Sequence, residues 1–250
     1  MLIIRKEQIE AFEQAALENF ENKMFAYLEK FFPKNCEVHG ETKIREIIRY
    51  GIEEAEVHGF TTERDVCLYI SLMLMLGHRF YQDPQLPWAS IFFNDENISP
   101  SQKIDRIYDK AMAYLDQVAG VNDENLKRAL QRIRGKSASA LFHLPTGDFE
   151  WDTIAQFNEI FPEKCQAVGD ANMRLLIQEG IKSAQHYNIL NQHDIFIYLS
   201  CMFILGSGFD SDPQFTWATA ILSEKSAPKQ DAKANQLYNA AMVFLEQWLA

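Results

Sequence analysis

Four cysteines, eleven glycines and eight prolines are few for a chain of 250 residues. Cys36, Cys67, Cys165 and Cys201 are scattered, and no CxxC pair occurs. That excludes a disulfide framework and the usual spacing of a structural zinc site. Basic side chains are also in the minority. Lys and Arg number 24 against 35 Asp and Glu, for a formal net charge of −11. Nucleic acids and anionic membranes both call for a basic face, so neither is an expected partner. Long apolar runs are missing too. The longest spans residues 66–76 and contains Ser71, whereas a membrane-spanning helix needs about 20 residues. Only residues 1–4 are apolar before Arg5, too few for a leader with an apolar stretch of about 7–15. The expectation is a reduced, cytoplasmic protein. GxGxxG, Walker A, GxSxG and HExxH are all absent. No cofactor, metal centre or catalytic residue is therefore assigned.

What is present is an internal repeat. FFPKNCEVHGETKIREIIRYGIEEA, from Phe31, aligns without gaps to IFPEKCQAVGDANMRLLIQEGIKSA, from Ile160. DVCLYISLMLMLGHRFYQDPQLPWA, from Asp65, aligns at the same offset to DIFIYLSCMFILGSGFDSDPQFTWA, from Asp194. With one residue of slippage, IYDKAMAYLDQ from Ile107 matches LYNAAMVFLEQ from Leu237. The spacing is too long for a solenoid, so the expectation is a duplicated domain. Three segments follow: a first repeat over residues 1–120, a basic connector over 121–147, and a second repeat over 148–250. Residues 1–120 hold 13 basic and 20 acidic side chains, and residues 121–250 hold 11 and 15.

Apolar spacing reads as helix nearly throughout, so the expected fold class is all-α, as two similar helical bundles. Ile9, Phe12, Ala16, Phe20, Met24, Tyr27, Leu28 and Phe31 form one stripe on a long first helix that Pro33 stops. Ile44, Ile47, Ile48, Ile52 and Ala55 mark a second helix from about Glu41 to Val57, with Gly59 at its cap. Thr62 opens a third with capping-box spacing to Asp65. That helix is apolar on all sides from Val66 to Leu76, which suits a bundle centre, and Gly77 is its terminator. A short helix follows around Trp88 to Phe93. Ser99 and Pro100 then open a final one, with Ile104, Ile107, Tyr108, Ala111, Met112 and Leu115 inside. In the second repeat, Pro145, Thr146 and Gly147 break the counterpart of the long first helix.

The most distinctive constellation is the paired loop DPQxxWA: Asp83, Gln85 and Trp88, then Asp212, Gln214 and Trp217. Asp-Pro initiates a turn whose carboxylate accepts backbone N–H groups. Either this loop closes each bundle with Trp plugging its end, or it roofs a pocket for a ligand or partner. Asp210 and Asp212 form a DxD that could begin a cation site, although two carboxylates leave the shell incomplete. Arg45 with Asp65, and Arg174 with Asp194, are matched charges that could tie the second helix to the third. The six histidines, His39, His58, His78, His143, His186 and His193, include no matched pair. Lys127, Arg128, Arg132, Arg134 and Lys136 lie on the outer face of a helix over 123–134. They either pack the connector on the acidic first repeat or receive an acidic partner.

At GIEEAEVHGFTTERDVCLYISLMLMLG followed by DPQLPWA, the chain resembles a family of small helical bacterial proteins. Those proteins are often encoded beside type VI secretion spike proteins and polymorphic toxins. The resemblance covers roughly residues 5–118 and, more loosely, 149–248. Thr216 stands where the pattern has Pro. The resemblance implies an accessory role as adaptor, chaperone or immunity partner for a secreted toxin. It carries no catalytic residue. The expected function is therefore non-enzymatic binding of a toxin or spike protein, with homodimerisation open. The alternative is a small-molecule binder or enzyme that uses the Asp-Pro-Gln-x-x-Trp loops.

Overall fold

A computed structural model describes residues 5–142, 145–224 and 230–248. Among them all regular structure is helical and no strand occurs. The first repeat contributes α1 (Lys6–Phe31), α2 (Pro33–Val57), α3 (Glu63–Leu76), a 3-10 turn (Phe80–Gln82), α4 (Pro87–Phe93) and α5 (Pro100–Ala119). The connector holds α6 (Glu124–Ile133) and α7 (Ala138–Leu141). Then come α8 (Phe149–Ile160), α9 (Pro162–Val168), α10 (Asp170–His186), α11 (Gln192–Leu205), a 3-10 turn (Pro213–Phe215), α12 (Thr216–Ser223) and α13 (Gln230–Gln247). No helix of the described residues is long and apolar enough to cross a membrane.

Local chemistry sets these boundaries. The Thr62 hydroxyl accepts the Asp65 N–H at 3.1 Å, and the Asn191 side chain accepts the Asp194 N–H at 2.8 Å. These bonds satisfy orphan donors at the starts of α3 and α11. Ser99 and Gln102 make a reciprocal capping box at the start of α5, where Pro100 needs no N–H partner. The second helix begins earlier than its apolar spacing suggested. Gly40, at φ +76°, bends it, and the turn before that bend starts at Pro33. In the second repeat, Gly169 at φ +78° separates α9 from α10.

The central helices are α3 and α11, whose apolar surface is buried on nearly every side. Tyr69, Leu72 and Met73 in one, and Tyr198, Leu199 and Met202 in the other, are buried. Two apolar cores form around them, one from residues 24–111 and one from residues 129–245. Gly51 on α2 and Gly180 on α10 allow close approach. A Cβ there would sit 2.6 Å from Ile70 Cγ1 and 2.2 Å from Leu199 Cδ2. Any larger residue would push α2 off α3, or α10 off α11.

Three expectations need correction. The stripe on α1 is only half used. Met24 and Leu28 are buried, but Phe12 is 70% exposed and Phe31 is 56% exposed. Every described side chain from Lys6 to Asn19 is exposed, because no other described element reaches that end of the helix. Ile9's side chain and His143 lie outside the described residues. The matched arginines tie the second helix to the first rather than to the third. Arg45 pairs with Glu21 at 3.2 Å and Glu41 at 2.8 Å, and Arg174 pairs with Glu150. Asp65 and Asp194 instead sit in the first turns of their own helices, accepting from the Ser101 hydroxyl at 2.5 Å and Asn191 Nδ2 at 2.6 Å. Finally, α6 does not simply lie on the acidic first repeat. Its buried face of Ala129, Leu130 and Ile133 belongs to the second core, although α6 also touches α5. Helix α6 therefore bridges the two repeats, through that apolar face to the second core and through its contacts to α5.

Candidate functional site

Each Asp-Pro-Gln loop packs on its own bundle, where Leu86 and Ala89, and Phe215 and Ala218, are buried, and also bonds across to the other bundle. Asp83 follows the 3-10 turn of the first repeat. Its Oδ1 accepts its own loop's Gln85 N–H at 2.8 Å, and its Oδ2 accepts the Ser207 N–H at 2.8 Å. Asp212 does the converse: Oδ1 accepts the Gln214 N–H and Oδ2 accepts the His78 N–H, both at 2.8 Å. The glutamine amides cross the same seam. Gln85 Nε2 donates to the Met202 carbonyl at 3.1 Å, and Gln214 Nε2 donates to the Met73 carbonyl at 2.9 Å. Each amide thus adds a second donor at the end of the opposite central helix, where the Gly77 N–H and Gly206 N–H already bond the Met73 and Met202 carbonyls.

The backbones meet at Gly77 and Gly206, with φ of +91° and +100°. A Cβ on Gly206 would lie 2.9 Å from the Leu76 carbonyl, and one on Gly77 would lie 3.2 Å from the Leu205 carbonyl. Only glycine meets both the dihedral and the contact. Asp83, Gln85, Asp212, Gln214 and His78 are all buried. Burial pushes the Asp83 carboxyl above its usual range, while the N–H groups of Ser207 and Gln85 pull it back down.

The tryptophans flank this clasp. Trp88 packs 6.1 Å from Tyr114, and Trp217 packs 6.2 Å from Phe215 and 6.3 Å from Phe244. Both are half-buried, and the Trp217 Nε1–H meets no acceptor. The DxD is split. Asp210 Oδ2 accepts from the Tyr198 hydroxyl at 2.8 Å, whereas Asp212 faces His78. The two carboxylates therefore do not converge, and no cluster of three metal-ligating side chains exists among the described residues.

The connector cations are scattered. Arg132 Nη1 donates to the Ile160 carbonyl at 2.6 Å, capping α8. Lys127 donates to the Asn122 carbonyl at 3.0 Å, and Arg128 donates to Asn125 Oδ1 at 2.5 Å. Arg134 lies 3.7 Å from Glu246 on α13. Lys127, Arg128 and Arg134 remain exposed and could meet a partner, while Arg132 is engaged in the fold.

Two recesses flank the seam. The first, of about 180 Å³, holds Asp83, Gln85, Tyr114 and Lys164, and helix α6 covers it with Asn125, Leu126 and Ala129. Lys164 donates to the Phe203 carbonyl, and burial lowers its ammonium to a pKa of about 8, with Asp83 opposing that shift. The second is an open groove of about 520 Å³ between the start of α2 (Val38, His39, Lys43), Trp217 on α12, and Val243 and Phe244 on α13. Gln85 and Tyr114 line the first recess, and their sequence matches Gln214 and Phe244 line the second. Among the described residues no helix covers the groove as α6 covers the first recess.

The sequence reading did not single out Ser207 or Lys164, and it gave Gly77 only a terminator's role and His78 none. The one signal that could have found the seam is the glycine ending both apolar helices, followed six residues later by the Asp-Pro turn. Comparisons with family models, with curated proteins and with solved structures return no match.

Proposed function

We propose that this protein is a non-enzymatic binding accessory, an adaptor or chaperone, that receives a helix of a protein partner in the groove beside Trp217. The carrying observation is the pair of recesses. One is roofed by the chain's own amphipathic α6, and the other has matching loop and α-helical walls but no roof among the described residues. Helix-in-groove docking is a general recognition mode for such a surface. The resemblance at residues 51–89 supplies the setting: a secreted toxin or spike protein of a bacterial type VI secretion system, met in the cytoplasm. The excess of acid, greatest in residues 1–120, lies outside the groove and would speed encounter with a partner that is basic away from its docking helix.

The test is co-expression with the toxin or spike protein encoded beside the gene. The expected result is co-purification that Val243→Glu abolishes. Rescue of cells without any change in toxin level would assign immunity instead. No complex with either product, and no effect on toxicity or toxin abundance, would end the proposal.

A second reading rests on the recess under α6, where Lys164, Asp83 and Tyr114 converge. On that reading the recess takes a small molecule. Retention of a ligand by the purified protein, and its loss in Lys164→Met, would favour that reading.

A further inference from the structure

Among the described residues no other element packs on the N-terminal end of helix α1. From Lys6 to Asn19 every described side chain faces solvent, including Phe12 at 70% and Leu17 at 40% exposure. At the repeat offset Phe149, the first residue of α8, matches Phe20. The second repeat therefore has no counterpart of this arm in α8. An isolated helix of that length is marginal in water, so packing must come from elsewhere if the arm is to be firmly helical. Its chemistry is specific. Phe12, Ala16 and Leu17 lie on a segment that also carries Glu7, Glu13 and Glu18, against Lys6.

The open groove has the complementary chemistry. Phe244, Trp217, Val38 and Val243 provide an apolar floor, and Val243 is 63% exposed. None of the lining residues is acidic, in a chain of net charge −11, and Lys43 stands on the rim, paired with Glu46 on its own helix. The arm cannot reach its own groove. Phe12 precedes the end of α1 at Phe31 by 19 residues, about 28 Å at 1.5 Å per residue. The groove begins at Val38, just beyond that end.

We infer that the occupant is the arm of a second copy: residues 6–19 of one protomer lie in the groove of another, and the exchange is reciprocal in a two-fold dimer. Two-fold closure makes both contacts identical and leaves neither arm nor groove free. This inference does not depend on the partner proposed above. It gives the groove an occupant in the free protein, which a client helix would displace.

The experiment is light scattering on the full chain at high micromolar concentration, with the single variants Phe12→Glu and Val243→Glu. Both positions are exposed, so circular dichroism and thermal midpoints should match the wild type. The expected wild-type mass is twice 28.9 kDa. Each variant alone should run as a monomer, with association weakened at least about tenfold. An equimolar mixture of the two should associate again, because one supplies an intact arm and the other an intact groove. A monomeric wild type, a Val243→Glu dimer, or a mixture that stays monomeric would each overturn the inference. The second of these outcomes is the one that arm-to-arm pairing would give. A dimer that forms while no neighbouring toxin co-purifies would separate this inference from the partner proposal.

Discussion

Asp83 and Ser207, 124 residues apart, are joined by a 2.8 Å hydrogen bond from the serine N–H to the aspartate Oδ2. The bond crosses from one repeat to the other, and His78 with Asp212 returns it. Replacing Asp83 by Ala strands the Gln85 and Ser207 N–H groups away from solvent. The expected loss is about 2–6 kcal/mol, from about 1–3 for each of the two unpaired donors. Asp212→Ala should cost a similar amount. Urea unfolding measures both, and a loss under ~0.5 kcal/mol would show that the clasp adds nothing beyond surface substitution.

Gly206→Ala tests the backbone contact. The variant must hold φ near +100° and place its Cβ 2.9 Å from a main-chain carbonyl. Gly147 serves as the control, at φ +77° with nothing within 4 Å. There alanine should cost only the dihedral strain, about 1–2 kcal/mol. Gly206→Ala should lower the thermal midpoint by clearly more than Gly147→Ala, and equal shifts would remove the argument from close approach.

Lys164 should leave a signature in the pH dependence of stability. Burial lowers its folded pKa from 10.5 to about 8. Between those values the unfolded chain binds more protons, so this group's contribution to stability rises with pH across about 8 to 10.5. Cys165 and Cys201, whose thiols burial raises to about 12, act in the opposite direction in the same range. Cys201 cancels in the difference between wild type and Lys164→Met, and Cys165 cancels except for the part of its shift that Lys164 opposes. Denaturant midpoints at pH 7 and pH 9.5 should show the wild type gaining on the variant as pH rises. A constant difference would mean that the ammonium is not desolvated.

The histidines act on the acid side. Burial lowers the folded pKa of His39 and of His58 below 6.5. The unfolded chain therefore takes up these protons first. The stability contribution is whole above about 6.5 and is lost as pH falls through the folded values. His58 packs edge-on to Tyr81 and Phe93, with centroids 4.6 and 4.8 Å away. His58→Phe keeps the ring and removes the proton site, so it should flatten the fall in melting temperature between pH 7 and pH 5. An unchanged slope would locate the acid sensitivity elsewhere.

Arg132 separates from its neighbours on the connector. Its bond to the Ile160 carbonyl should make Arg132→Ala cost about 1 kcal/mol. Lys127→Ala and Arg128→Ala remove exposed contacts and should stay within about 0.5 kcal/mol. Thermal melts of the three variants would rank them. Equal effects would make the α8 contact no different from a surface pair.

The helices were legible because their signals are local. Thr62 with Asp65, Ser99 with Gln102, Pro100 and Gly77 each act within four residues of the boundary they mark. The all-α class followed from apolar spacing alone. The far half of α1 was misjudged for the same reason: spacing finds a stripe but not what covers it, and nothing among the described residues covers Phe12. Arg45 was matched to Asp65 by repetition, but Glu21 lies one helix nearer in space. The Asp-Pro-Gln loop was legible as a turn. Its bonds to Ser207 and Met202 span more than a hundred residues and leave no local trace.

The clasp also bears on where this chain divides. Residues 1–120 and 121–250 are separable on paper, and Gly120 is a permissive place to cut. A fragment ending there would keep Asp83 and lose Ser207, and its central helix would lose the Gln214 amide from the Met73 carbonyl. The other fragment would be uncapped in the same way. The two halves of the sequence are similar, but the crossed bonds make the whole chain the expected unit of cooperativity. Calorimetry on the intact protein should show one transition, and the two pieces should regain order only on being mixed.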